Sequence, residues 1–154
     1  MILVDSTAVN PSPTPNVGVL LFLAHRALEE RALRAVQAAG AEDLTPSQAR
    51  LLQRVDPGGT RLVELAERAL VTKQSAGFLV DQLEKGGYVV RVPDPDDGRA
   101  RLVRLTPRAE RLVPVGQAAV DATLAEWRDH LGAARMRHLV DALTRLREVT
   151  DPFA

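Results

Sequence analysis

The chain contains no cysteine, has no net charge and is poor in aromatic residues. Its 154 residues include 20 Lys and Arg against 20 Asp and Glu, and only 3% are Phe, Trp or Tyr. The absence of cysteine excludes disulfides and thiol-based redox sensing. The balanced charge gives no whole-chain argument for binding nucleic acid, so only local charge can supply one.

Long apolar runs and enzyme motifs are also missing. The apolar stretch from Val17 to Ala24 is far below the ~20 residues needed to cross a bilayer, and no basic segment precedes it, so we expect a cytoplasmic protein. No Gly-x-Ser-x-Gly, phosphate loop or dinucleotide fingerprint occurs. We therefore expect no catalytic residues and no cofactor, and the length suits one core or one domain with an oligomerisation element.

The stretch from Val71 to Thr106 has the most defined organisation. Thr72 is a helix cap, and apolar residues then recur at helical spacing until Gly86-Gly87 ends the helix. These apolar residues are Ala76, Leu79, Val80 and Leu83. The opposite face carries Gln74, Phe78, Asp81 and Lys85 and is left available for a partner.

A β-hairpin is predicted directly after this helix. Tyr88–Val92 and Arg101–Leu105 are rich in residues typical of strands, and the turn formers of Pro93–Gly98 separate them. Arg99 and Arg101 lie at or beside the tip. Between Lys73 and Arg111 there are eight basic residues against six acidic ones, so charge alone is weak support for DNA binding.

Helices are predicted on both sides of this stretch. A long first helix covers Val17–Ala39, and a Thr45-Pro-Ser-Gln48 capping box begins a second helix that runs to about Val55. Thr60 is a candidate cap for a short third helix. Thr106 caps a helix from Pro107 to about His130 with a bend at Pro114, and Gly132 separates it from a last helix. Asp151-Pro152 closes that last helix.

A helix with an exposed polar face followed by an arginine-tipped hairpin is typical of a winged helix-turn-helix. From about Val17 to about Val149 the chain resembles the MarR family of bacterial transcriptional regulators. The segments that carry the resemblance are Leu44-Thr-Pro-Ser-Gln-Ala-Arg-Leu-Leu52, Leu62-Val-Glu-Leu-Ala-Glu-Arg68, Thr72-Lys-Gln-Ser75, Leu79-Val-Asp-Gln-Leu-Glu-Lys-Gly-Gly-Tyr-Val89 and Asp94-Pro-Asp-Asp-Gly-Arg-Ala-Arg-Leu-Val-Arg-Leu-Thr-Pro107.

The resemblance implies a mainly α fold with a small β-hairpin wing, in which a winged helix-turn-helix is joined to long dimerisation helices. The expected divisions are a mobile N-terminal arm at 1–15, a dimerisation helix at 16–40, the DNA-binding domain at 41–106 and dimerisation helices at 107–154. The first helix and the last two have apolar surface that a homodimer would cover, including the stripe of Met136, Leu139, Val140, Leu143 and Leu146.

The family's DNA-contacting positions fall on residues of the Thr72 helix and the wing. They are Thr72, Lys73, Gln74, Ser75, Gly77, Phe78, Asp97, Arg99 and Arg101. Arg99 matches the family's wing arginine, and Asp97 matches the acidic partner that steadies it. Gly77 and Phe78 depart from the Thr and Arg of many members, and two alternatives remain open for Phe78: contact with a thymine methyl group, or packing against its own domain.

The expected function is a sequence-specific regulator, a repressor, that binds a pseudo-palindromic double-stranded operator as a homodimer. In the family a small organic effector, often aromatic or anionic, binds between the dimerisation helices and the DNA-binding lobe and releases DNA. His25, Arg50, Arg54 and Trp127 are the candidate ligand-binding residues. The alternative function is a helical dimeric scaffold or co-regulator that does not bind DNA.

A metal site is not expected. His130 and His138 lie about two helical turns apart, but no His-Glu-x-x-His motif or carboxylate cluster accompanies them. Together with His25 they are interpreted as surface or packing residues.

Overall fold

The structure, a computed structural model, describes residues 15–151. The predicted N-terminal arm therefore lies outside the described residues except for Pro15. In this range the helices and strands are α1 (Val17–Ala38), α2 (Pro46–Leu52), β1 (Thr60–Arg61), α3 (Leu62–Arg68), α4 (Lys73–Lys85), β2 (Val89–Pro93), β3 (Arg101–Leu105), α5 (Pro107–Glu110), α6 (Val113–Leu131) and α7 (Ala133–Thr150). The mainly helical fold with a small antiparallel wing is confirmed.

The winged helix-turn-helix surrounds one apolar core. α2, α3 and α4 pack together beside an antiparallel sheet of order β1-β3-β2, in which Val89 pairs with Leu105 and Thr60 with Val103. Each of the three helices contributes a buried leucine to this core: Leu51 from α2, Leu65 from α3 and Leu83 from α4. This core holds α4 by its apolar side, so the polar side of α4 remains on the surface.

Three long helices form the other part of the fold. α1 packs along α6, and α7 packs on α6. The α1–α6 contact includes a polar link, since the Arg31 guanidinium donates hydrogen bonds to Thr123 Oγ1 at 3.4 Å and to Glu126 Oε2 at 2.5 Å. Within residues 15–151, no helix is both long enough and apolar enough to cross a bilayer.

The local helix signals in the sequence are reproduced. Thr45 and Gln48 form the reciprocal capping box, and the Thr72 and Thr106 hydroxyls accept hydrogen bonds from the backbone N–H three residues later. Gly132 separates α6 from α7 with a φ of +83°. These contacts join residues close in sequence, so local pattern was enough to predict them.

Two predictions about the second and third helices were wrong. α2 ends at Leu52, not near Val55. Thr60 does not cap α3 but lies buried in β1, where its hydroxyl accepts a hydrogen bond from the Asp56 N–H at 2.9 Å. Gly59, with φ +99°, lets the chain pass so close to β3 that a Cβ there would lie 2.7 Å from Arg104 Cγ. This close approach to β3 brings Thr60 into the sheet.

The helix predicted from Pro107 to His130 is interrupted instead of bent. α5 ends at Glu110, and α6 begins at Val113 with Pro114 in its first turn. Proline has no N–H to bond the Glu110 carbonyl four residues back, and it is favourable at a helix start. The chain therefore begins a new helix at this point.

Candidate nucleic-acid interface

The first turn of α4 presents two side chains without partners. The Thr72 hydroxyl accepts from the Ser75 N–H at 3.1 Å and donates to Ser75 Oγ at 2.9 Å, so these two residues cap the helix. Lys73 and Gln74 are exposed. Neither side chain has a hydrogen bond or ion pair to any residue in the described part of the chain. They are free to contact another molecule.

The rest of α4 separates a buried side from an exposed one. Ala76, Val80 and Leu83 are buried, whereas Phe78 is 63% exposed. Gly77 is half-buried, and a Cβ at this position would lie 3.8 Å from Leu62 Cδ2 of α3. Gly77 therefore faces α3 and offers no side chain to DNA, which revises its place among the predicted contacts.

The acidic residues near the exposed side of α4 are paired. Arg91 of β2 donates to Asp81 Oδ1 at 2.6 Å and also binds Glu84. Burial by itself lowers the pKa of the Arg91 guanidinium, but the hydrogen bonds to Asp81 and Glu84 together outweigh it, so the pKa is raised. These ion pairs offset part of the negative charge of the two carboxylates and join α4 to the hairpin, so the two elements are presented together.

The base of the wing is held by an ion pair that sequence reasoning missed. Asp94 Oδ2 accepts from Arg61 Nε at 2.7 Å and lies 2.6 Å from Arg61 Nη2, and Asp94 Oδ1 accepts from the Asp96 N–H at 2.9 Å. The hydrogen bond from the Asp96 N–H, followed by that from Arg61, holds the pKa of Asp94 below its usual value. The partners are 33 residues apart, so only the β1–β3 pairing brings them together.

Asp97 supports the wing through the main chain. Its Oδ1 accepts a hydrogen bond from the Arg99 N–H at 3.1 Å, and no bond joins Asp97 to the Arg99 guanidinium. The support predicted for Arg99 is thus given to its backbone, and its guanidinium remains free.

The unpaired cations of this region gather on α4 and the wing. Among the described residues, the exposed side chains without an acidic partner here include Lys73, Lys85, Arg99, Arg101 and Arg104. Asp81, Glu84 and Asp94 are in ion pairs, whereas the carboxylates of Asp96 and Asp97 form no ion pair with any of the described residues. The unpaired cations therefore outnumber the unpaired carboxylates, which agrees with the small basic excess of the sequence.

The four predicted ligand-binding residues do not share one pocket, although Arg50 lies in the lining of a groove of about 530 Å³ between α2 and α4. Arg50 makes a two-pronged ion pair with Glu29 at 2.7 and 2.9 Å, and His25 Nδ1 lies 3.6 Å from the same carboxylate. Arg54 is exposed on the surface, and Trp127 is half-buried on α6. The Arg50 hydrogen bond is the main cause that lowers the pKa of Glu29. The structure brings Arg50 and His25 together as a surface ion-pair network.

A cavity of about 630 Å³ lies instead between the long helices and the DNA-binding lobe. Its lining residues are Ala32, Leu33, Val36, Leu44, Ala49, Leu52, Gln53, Val55, Pro57, Leu105, Ala109, Glu110, Leu112, Val113, Gly116, Gln117 and Val120. His25, Arg50, Arg54 and Trp127 are not among them, because spacing along the chain cannot locate a space bounded by five separate elements. Glu110 is the one ionisable residue in this lining.

Comparisons with known proteins agree with this geometry. Residues 42–100 match the sequence model of the MarR family. Over 110 residues the chain is 29% identical to the HTH-type transcriptional regulator FarR of Neisseria gonorrhoeae, covering 71% of this chain and 75% of that protein.

Solved structures share the fold along most of the chain. RV1404 from Mycobacterium tuberculosis is 26% identical with a TM-score of 0.68, covering 90% of this chain and 97% of that one. NadR in complex with 4-hydroxyphenylacetate is 26% identical with a TM-score of 0.63, covering 88% of this chain and 94% of that one.

Proposed function

Because this chain belongs to the MarR family of transcriptional regulators, we propose that it is a repressor that binds a pseudo-palindromic operator as a homodimer. The observation that carries the proposal is the exposed first turn of α4, where Lys73 and Gln74 have no partner among the described residues, followed along the chain by a wing whose Arg99 guanidinium is also unpaired. A helix of this kind fits the major groove, and an arginine-tipped hairpin fits an adjacent minor groove.

Two kinds of contact follow from this arrangement. Gln74 has an amide that can bond two atoms of an adenine edge, so it is suited to specify a base. Arg99 has a charged group at a hairpin tip, so it is suited to bind phosphates or the minor groove and to position the protein. Lys73 adds a second cation at the start of α4.

Operator binding tests both kinds of contact after DNA has been selected from a random pool with the purified protein. If the residue contacts a base, Gln74→Ala or Lys73→Ala should weaken the binding free energy by about 1–3 kcal/mol. The same substitution should reduce the preference for one base at particular operator positions. Arg99→Ala should weaken all sequences alike and reduce the salt slope by about one unit per protomer. Fluorescence anisotropy at several salt concentrations measures both effects.

A matched control removes the same charge elsewhere. Arg145 is an exposed residue of α7 that pairs with Asp141, and α7 packs on α6. Arg145→Ala should leave affinity and salt slope unchanged. If neither Gln74→Ala nor Arg99→Ala alters the binding isotherm, the proposed contacts of α4 and the wing are wrong, and if the wild type selects no DNA, the scaffold function replaces the DNA-binding one.

We also propose that a small aromatic effector occupies the 630 Å³ cavity and releases the operator. The relative NadR is described with bound 4-hydroxyphenylacetate. The cavity is bounded by α1 and α6 on one side and by α2 and β3 on the other, so an occupant would alter how the DNA-binding lobe sits on the long helices. Since Glu110 is its one ionisable lining residue, a neutral apolar molecule suits it better than an anion.

A pair of probes tests this effector proposal. The methyl ester of 4-hydroxyphenylacetate should raise the thermal midpoint and release the operator at a lower concentration than the free acid does. Ala49→Phe, which places a ring in the cavity and reduces the space for an aromatic ligand, should weaken both effects strongly. Arg54→Ala should preserve them, because Arg54 does not line the cavity. Loss of the response in Arg54→Ala but not in Ala49→Phe would place the effector at the surface residues instead.

A further inference from the structure

Phe78 is the one large apolar side chain on the otherwise polar exposed face of α4. It is 63% exposed and lines one side of an open groove of about 530 Å³, together with Gln74, Val71 and Leu79. An aromatic ring loses favourable burial when it stays in water. The side chain therefore has apolar surface to bury when α4 meets a partner.

The neighbours of Phe78 indicate what that partner surface is. Gln74 lies one helical turn earlier on the same face, exposed and unpaired, and Asp81 lies on this face one turn later. Asp81 forms an ion pair with Arg91, which reduces the repulsion between this carboxylate and phosphates. Phe78 is thus an apolar side chain whose neighbours on this face would not prevent an approach to nucleic acid.

We propose that Phe78 packs on the 5-methyl group of a thymine in the operator, close to an adenine that Gln74 reads. This inference rests on the proposed function and names the base chemistry that α4 recognises. The thymine methyl is the apolar group that the major groove displays, and it is a known partner of Phe side chains. Gln pairs with the adenine edge in the same groove.

The helix geometry limits the distance between the two bases. Four residues of α-helix rise about 6 Å, and successive bases are about 3.4 Å apart along the axis. A helix lying along the groove would therefore place the thymine within about two base pairs of the pair read by Gln74. Gly77 does not keep the Phe78 ring from the groove of the DNA, because Gly77 faces Leu62 of α3.

Replacement of thymine by deoxyuridine removes only this methyl group, and scanning each thymine of the selected operator tests the proposal. At one thymine per half-site, the substitution should lower the affinity of the wild-type protein about fourfold. Phe78→Ala should bind the thymine operator more weakly and should not distinguish thymine from deoxyuridine at that position. Phe78→Leu should keep part of the distinction, since it retains an apolar side chain.

A control variant separates this effect from a general loss of exposed apolar surface. Val63 is exposed on α3, and Val63→Ala should keep the full thymine preference. The inference is overturned if the wild type tolerates deoxyuridine at every position, or if Phe78→Ala remains as sensitive as the wild type. Failure of the wild type to select any DNA would overturn the proposed function itself, which is a different result.

Discussion

Tyr88 joins three segments that are distant in sequence. Its hydroxyl donates to Asp43 Oδ1 at 2.5 Å, and Arg108 Nη2 donates to the Tyr88 hydroxyl oxygen at 3.1 Å. The Arg108 guanidinium also lies 4.4 Å from the ring centre and binds the carbonyls of Gly86 and Gly40. This cluster ties the end of α4 to α5 and to the connection between α1 and α2.

The cluster predicts an unusual tyrosine titration. Burial of the ring, followed by the hydrogen bond to Asp43, raises the pKa of Tyr88 to about 12. Because Tyr88 is the single tyrosine of the chain, the absorbance change of tyrosinate reports this group alone. We expect the titration midpoint of Tyr88 to lie at about pH 12 in the folded protein. In the unfolded chain it should lie near pH 10. A folded-state midpoint near 10 would contradict the cluster.

Removal of the Tyr88 hydroxyl should lower stability in a way that depends on pH. Tyr88→Phe keeps the ring and should cost about 1 kcal/mol of unfolding free energy, since Asp43 is largely exposed and water screens the bond. The Tyr88 bond holds the pKa of Asp43 below its usual value. The stabilisation is therefore present above about pH 4 and is lost as pH falls through the lower folded-state pKa. Urea unfolding of both proteins across this range measures the difference.

At the scale of elements, the wing depends on its base as much as on its turn. Asp94 is 5% exposed, and its carboxylate connects the Asp96 N–H of the turn to Arg61 of β1. Asp96 is exposed, and its carboxylate makes no ion pair to the described residues. The acidic residues of one turn thus have different tasks, although they look alike in the sequence.

Asp94→Asn and Asp96→Asn form a matched pair that tests this difference. Asp94→Asn keeps the shape but removes the charge that binds Arg61, so the hairpin amides should exchange hydrogen faster and operator affinity should fall. Asp96→Asn should leave hairpin exchange unchanged. Equal exchange rates in the two variants would show that Asp94 does not hold the wing.

At the scale of the whole molecule, the long helices have an apolar surface that residues 15–151 do not cover. On α1 the exposed residues are Val17, Val19, Leu20, Leu21, Phe22 and Leu23, and on α7 they are Leu139, Val140, Leu143, Leu146 and Val149. The α1 residues lie on every side of the helix, which is typical of a helix enclosed by partners. A second copy of the chain would cover both surfaces.

A double substitution tests the dimer. Replacement of Leu139 and Leu143 by Asp should shift the protein from dimer to monomer in sedimentation at micromolar concentration, because charges would be buried in the contact. Operator affinity should fall with it, since a monomer reaches one half-site. Arg145→Asp is the control that adds charge outside the stripe. Tight operator binding by a monomeric variant would refute the requirement for a dimer.

Sequence alone determined the features that depend on neighbours along the chain. Thr45, Thr72 and Thr106 cap helices through bonds to the third residue that follows, and the turn formers between β2 and β3 set the hairpin. The placement of Lys73, Gln74 and Phe78 on the exposed face of α4 follows from helical spacing. Division of the chain at residues 40 and 106 remains a prediction.

Only the tertiary structure decided how distant residues meet. Sheet pairing drew Thr60 into β1 and brought Arg61 to Asp94, while the packing of α4 on the hairpin set Arg91 beside Asp81. The cavity is bounded by five separate elements, so spacing along the chain could not locate it. Spacing along a helix is set by its 3.6-residue turn, whereas contacts between elements depend on how their surfaces pack, which no single stretch of sequence encodes.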